Sequence, residues 1–202
     1  MEINNLVDSG SARVIRGAGM HNEVNHLEGK YTLTCRDENG NLKWEDVIEN
    51  TVVDVGKKHI LDTMFGTGAY TPTGPFMGLI SGVGWSSVAA GDTMGTHAGW
   101  YECGVDGSHG PTVTARITAN GGFSAASGTG TVTKALTSAL SFTIATITGG
   151  TSVQGCFMVM ASGAVSTIGN TGGTLYSGGA FTGGAKTVAV NDAIQVSYST
   201  TM

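Results

Sequence analysis

Charge is what this sequence has least of. Asp, Glu, Lys and Arg make up 12% of its 202 residues, whereas the surface of a free small domain is usually about a quarter to a third charged. Ten Lys and Arg against 15 Asp and Glu leave a net charge of -5, and without clustered cations there is no phosphate-binding surface, so nucleic acid is not an expected partner. Cysteine is scarce too: Cys35, Cys103 and Cys156 cannot all pair, and none sits in a CxxC spacing. No apolar run reaches the length that spans a bilayer and no cationic, apolar leader opens the chain, so the expectation is a soluble product of a cytosol with no membrane partner. Catalytic signatures are missing as well. There is no GxSxG elbow, no GxxxxGK[ST] phosphate loop, no HExxH and no GxGxxG; Gly17-Ala18-Gly19 and Gly82-Val83-Gly84 lack the third glycine at the right place.

The few charges are unevenly placed. Residues 1–65 hold 18 of the 25, which leaves seven for the 137 residues from Gly66 onward, a stretch rich in Gly, Ser, Thr and Ala. Such a stretch is either an ordinary hydroxyl-coated β-protein surface or a surface covered by other subunits. The second reading is the one carried forward. Three units follow: an arm over residues 1–29, a hairpin plus helix over 30–65 and a β-sandwich over 66–202, with 30–202 expected to pack as one body.

The arm is polar, rich in Gly and Asn, and without a sustained apolar period, so it is expected to order only on a neighbour. Tyr31-Thr32-Leu33-Thr34-Cys35-Arg36 alternates with period two, Asn39-Gly40 is a turn signal, and Leu42 to Ile48 returns as a second strand that Thr51 to Val53 extends. Asp54 reads as the N-cap of a helix from Val55 to Phe65, whose stripe of Ile60, Leu61, Met64 and Phe65 should lie across a sheet with Lys57 and Lys58 in water. Thr71 to Pro75 is a stiff connector into a strand, Phe76-Met77-Gly78-Leu79-Ile80, and Ser81 to Tyr101 is a long loop carrying Trp85 and Trp100. Thr112 to Ile117 and Leu140 to Ile144 alternate as further strands.

The densest apolar run, Gly155 to Ala161, is bounded by small residues and is too short for a membrane helix, so it reads as a central strand covered on both faces. Thr187 to Val190 and Ile194 to Tyr198 alternate on either side of Asn191-Asp192. A two-residue hairpin there would put Val188 and Val190 opposite the face of Ile194, Val196 and Tyr198; a three-residue connection unites them but offers no glycine for its left-handed position. A corner from one sheet to another is the alternative. The fold class is mainly β: a sandwich with a hairpin, one short helix and an N-terminal arm.

Cys35 and Cys156 read as small buried hydrophobes. His97, Cys103 and His109, with Glu102 nearby, are the cluster of metal-competent side chains, but their spacing fits no ligand pattern and no metal or cofactor is assigned. Glu102 with Asp106 or Asp92 offers a carboxylate pair for glycoside hydrolysis, weighed down by the scarcity of acids and of aromatics to hold a sugar. No catalytic residue is assigned and no enzyme is expected. Trp85, His97, Trp100 and Tyr101, with Arg13 and Arg16 in the arm, are the candidate partner contacts.

Tyr31 to Thr63, then Thr73-Gly74-Pro75-Phe76-Met77-Gly78-Leu79-Ile80-Ser81, Ala90 to Met94 with His97 to Trp100, Val153 to Phe157 and Ser166 to Leu175 resemble a family of small virion proteins of tailed bacteriophages. The resemblance implies a capsid decoration or cement protein with a jelly-roll-like fold and no active site, located on the virion, bound to the major capsid protein and self-associating as a dimer or trimer. A tail or fibre component that recognises a host surface is the alternative it leaves.

Overall fold

A computed structural model of the chain describes residues 27–66 and 73–202. Among them, eleven strands form two antiparallel sheets that face each other as a β-sandwich, with one helix. The first sheet, A, has the order β2-β1-β11-β6, with β7 also paired to β11; here β1 is Glu28–Arg36, β2 Leu42–Glu49, β6 Thr133–Ala135, β7 Leu140–Thr143 and β11 Ala193–Thr201. The second, B, has the order β3-β9-β8-β4-β5, with β10 paired to β8; here β3 is Thr51–Val52, β4 Phe76–Ser81, β5 Ile117–Thr118, β8 Ser152–Met160, β9 Thr174–Ala180 and β10 Lys186–Thr187.

Sheet A is covered on one face, and its sequence shows it. The register places Tyr31 opposite Tyr198, Leu33 opposite Val196 and Cys35 opposite Ile194, all buried, while the intervening side chains face out. The Tyr31 hydroxyl hydrogen-bonds Ser177 of sheet B at 2.7 Å, closing the interior between the sheets. Sheet B is covered twice. Cys156 and Met158 of β8 belong to the core shared with sheet A, whereas Phe157 and Val159 belong to a second core with Ile80, Met94, Trp100 and Leu175. Only the two ends of β8 escape full burial, as expected of a strand with layers on both sides.

Several local expectations needed correction. Strand β1 begins at Glu28, so the arm gives up its last two residues to sheet A, where Glu28 and Gly29 pair with Thr201 and Thr200. Arm positions 1–26, Arg13 and Arg16 included, and Thr71 and Pro72 of the connector lie outside the described residues. Thr51 and Val52 do not extend β2: after Asn50 the chain leaves sheet A and pairs with Gly178 and Ser177 of β9 in sheet B. Between β10 and β11 the alternative to a hairpin, a corner from one sheet to the other, is the one present. Lys186 and Thr187 pair with β8, Ala193 starts β11 in the other sheet, and Asn191 takes the left-handed backbone at φ 69, a conformation its short amide tolerates. Buried Asp192 fixes this corner by accepting from the Ala189 N–H and from Lys43.

Thr112 to Ile117 is not one strand: Thr112 makes an isolated bridge to Thr146, and ladder pairing begins only at Ile117. Helix α1 is Asp54–Phe65 with Val53 at the N-cap and no side-chain cap; Asp54 sits in the first turn, 3.5 Å from Lys57. It docks through Gly56, where any Cβ would collide with the Tyr176 backbone. Such close approach puts the first turn on β9 and lets the later stripe overhang, so Leu61, Met64 and Phe65 are exposed and Ile60 is half-buried.

Candidate partner-binding cleft

After Ser81 the chain crosses the outer face of sheet B and returns through the bridge between Ile80 and Glu102. Apolar side chains of β4, β8 and β9 on that face need a lid, and Trp100 supplies it. Its ring is fully buried 5.0 Å from the ring of Phe157, and its Nε1–H donates to Asp92 Oδ2 at 2.9 Å. Asp92 also accepts from the Ala89 N–H, so one carboxylate folds the loop and satisfies the indole. Above Trp100 lies His97, stacked at 3.9 Å, with Nδ1 2.9 Å from the Trp100 carbonyl oxygen. A carbonyl only accepts, so Nδ1 is the donor in this contact.

Beneath the lid is a buried ion pair. Arg116 donates from Nε and Nη2 to the two oxygens of Glu102, each at 2.8 Å, and from Nη2 to the Asn170 carbonyl at 2.8 Å. Glu102 accepts a third bond from the Gly169 N–H at 2.8 Å. Both side chains are almost wholly out of solvent, so this bidentate geometry is what compensates the desolvation of two charges. The guanidinium also lies over the Phe157 ring, 5.5 Å from its centre. Three loops are tied together here: that of Trp100 to Glu102, that of Arg116 and that of Val165 to Asn170.

These segments leave a cleft of about 450 Å³ between the 94–105 loop and Gly169 to Thr171. His97, Trp100 and Tyr101 line it, and Glu102 and Arg116 form its floor. Of the residues expected to contact a partner, His97 is half-buried and Tyr101, 40% exposed, stacks on His109 at 3.7 Å. Trp85 is half-buried against the outer core and does not line the cleft. Trp100 also borders the cleft, but its ring has no accessible surface, so its visible role is that of a lid on the outer core.

The carboxylates in this region are already engaged. Asp106 accepts from the Ser108 and His109 N–H groups and from His109 Nδ1, and these bonds, the Ser108 N–H foremost, hold its carboxyl below the ordinary range. Among the described residues, no three His, Cys, Asp or Glu converge as a metal site. Cys35, Cys103 and Cys156 are all buried and unpaired with one another. Burial pushes the Cys35 thiol up to about 12 and raises the thiols of Cys103 and Cys156 as well, the nearby Glu102 adding to the effect at Cys103.

The Arg116–Glu102 pair was not anticipated from the sequence, where Arg116 reads as one position of an alternating strand. The available signal was scarcity: after Phe65 the chain has a single arginine and a single glutamate. Comparison of the chain with models of known families, with curated proteins and with solved structures yields no match.

Proposed function

We propose that this chain is a structural protein of a tailed-bacteriophage virion, and within that class a capsid decoration protein that binds the major capsid protein on the head. The observation that carries this reading is the outer face of sheet A. Its central positions, Thr32 and Ser197, Thr34 with Gln195 and Ser141, and Ala193 with Thr143, are exposed or half-exposed and uncharged, with Glu45 and Arg36 entering the last two rows from β2 and from the end of β1. The charges of this face are Glu45 and Glu49 on the β2 edge strand and Lys30 and Arg36 toward the two ends of β1. A flat face of hydroxyls and amides can be buried against another subunit without stranding an unpaired charge, which is the costly event at an interface. Copies that bind only the assembled shell then stabilise it by mass action.

The test is to mix the purified chain with expanded and with immature heads and to locate it by particle imaging. Retention at regular sites on expanded heads supports the proposal, and absence from heads of both kinds overturns it. The cleft favours a second reading, a host-surface adhesin of the tail, because His97 and Tyr101 border a concave surface. A fibre of that kind is a stable parallel trimer, so a detergent-resistant solution mass three times that of the chain would select it over a decoration protein.

A further inference from the structure

The overhang of α1 creates an apolar surface that the sandwich does not use. Leu61, Met64 and Phe65 are 57%, 63% and 78% exposed, and Met202 at the end of the chain is 50% exposed. Ile60 and Leu61 join Leu27, Thr51, Val52, Lys57 and Met202 around a groove of about 420 Å³. Positions 57, 60, 61 and 64 share one helical face, so the groove continues along the exposed stripe. A contiguous apolar patch of this kind marks a docking site.

Its occupant is suggested by where the preceding chain joins the structure. Leu27 is both the first described residue and part of the groove wall. The 26 residues before it therefore start at the rim of the groove, and in extended form they reach roughly 85 Å, far beyond the roughly 18 Å length of a twelve-residue helix. A tether that begins at the site also holds its far end at a high effective concentration there. Two aliphatic clusters lie on that tether: Ile3, Leu6 and Val7, flanked by Glu2 and Asp8, and Val14-Ile15, flanked by Arg13 and Arg16. The charged residue in the groove lining is Lys57. Acidic flanks complement it, and arginine flanks oppose it.

We propose that the segment Glu2 to Asp8 docks by Ile3, Leu6 and Val7 into the α1 groove of its own chain, with Arg13, Val14, Ile15 and Arg16 left for another partner. The test is disulfide trapping in the full-length protein, whose native thiols are all buried. Asn5→Cys is combined with Met64→Cys and compared with Ala18→Cys combined with Met64→Cys, both oxidised at low micromolar concentration. Tether length alone favours the nearer position 18, because a shorter loop closes more readily. Docking predicts the reverse, with the Asn5 pair forming an intrachain bridge at least about tenfold faster. Equal or slower trapping of the Asn5 pair overturns the proposal, as does exclusive formation of a disulfide-linked dimer, which would assign the groove to a second copy. A second readout needs no new thiol: Leu6→Asp in the full chain should accelerate amide exchange of Ile60 to Phe65 several-fold and leave β8 unchanged. Unaltered exchange in the helix also overturns it.

Discussion

The two sheets of this sandwich solve the burial problem differently. Sheet A keeps one wet face, so β1 and β11 alternate, and a single layer of tyrosines and aliphatics seals them. Sheet B is the middle of three layers, and β8 gives up alternation for an almost continuous buried run. The price is glycine: Gly155, Gly178 and Gly179 sit where neighbouring strands and loops crowd together. Sheet A is therefore specified by its own strands, whereas sheet B depends on a lid of loops. That lid is not held by regular hydrogen-bond ladders; Trp100 with Asp92, and Arg116 with Glu102, hold it.

The sharpest way to break this contrast is at the ion pair. Arg116→Met should leave Glu102 buried without its counter-charge and lower the unfolding free energy by about 3–5 kcal/mol, measured by urea denaturation. Adding Glu102→Leu should recover most of that loss, because an apolar pair avoids both desolvation costs. A loss below about 1 kcal/mol in the single variant, the range of a surface pair, would mean that the lid stands without the pair.

Glycine substitutions probe the same contrast with smaller effects. A Cβ at Gly155 would run into the carbonyl of Gly179 on the neighbouring strand, so Gly155→Ala should cost about 3 kcal/mol by forcing β8 and β9 apart. Gly40, in the β1–β2 turn of sheet A, has open space for 4 Å around the point where a Cβ would stand, but its backbone sits at φ 84. There Gly40→Ala should cost about 1–2 kcal/mol, the backbone term alone. Thermal unfolding of the two variants checks the order, and a larger loss at Gly40 would reverse the claim that crowding is concentrated in sheet B.

What could be read from the sequence follows the same division. Alternation in Tyr31 to Arg36, the Asn39-Gly40 turn and the dense run at Gly155 to Ala161 are local signals, and the strands they mark are present. The corners at Asn50 and Asn191 were harder, because whether a strand continues in its sheet or crosses to the other depends on partners far away in the chain. Asn191 shows the limit: the absence of glycine argued against a tight hairpin, but the choice of a corner rests on Ile144, whose backbone bonds both Asn191 and Asp192. Clustering of aromatics in a long loop marked a segment that lines the cleft. It could not separate Tyr101, which faces solvent, from its neighbour Trp100, which does not, since one residue's shift turns a side chain from outside to inside.

The smallest expected effect tests the seam between the sheets. Asp46 on β2 reaches Lys186 on β10 at 2.7 Å, beside the Trp44 indole, which donates to the Thr187 carbonyl and lies against Phe181. Lys186, assisted by the Val47 N–H, holds the Asp46 carboxyl below its ordinary range. A carboxyl depressed in the folded state contributes stability that is fully present above its unfolded value, about 3.9, and is lost as pH falls through the folded value. Asp46→Asn should therefore lower stability at pH 7 by less than about 1 kcal/mol, given that both side chains keep some contact with water. The gap from the parent should narrow as pH falls below the unfolded value and through the lower folded one. Asp37 is depressed too, mainly by Asn41 in the β1–β2 turn, so acid still weakens the variant; only the difference between the two titrations reports the seam. An equal gap at pH 7 and at about pH 2.5 would assign the contribution of Asp46 to packing and hydrogen bonding, and the sheets would then be joined at this edge by Trp44 and Phe181 without help from charge.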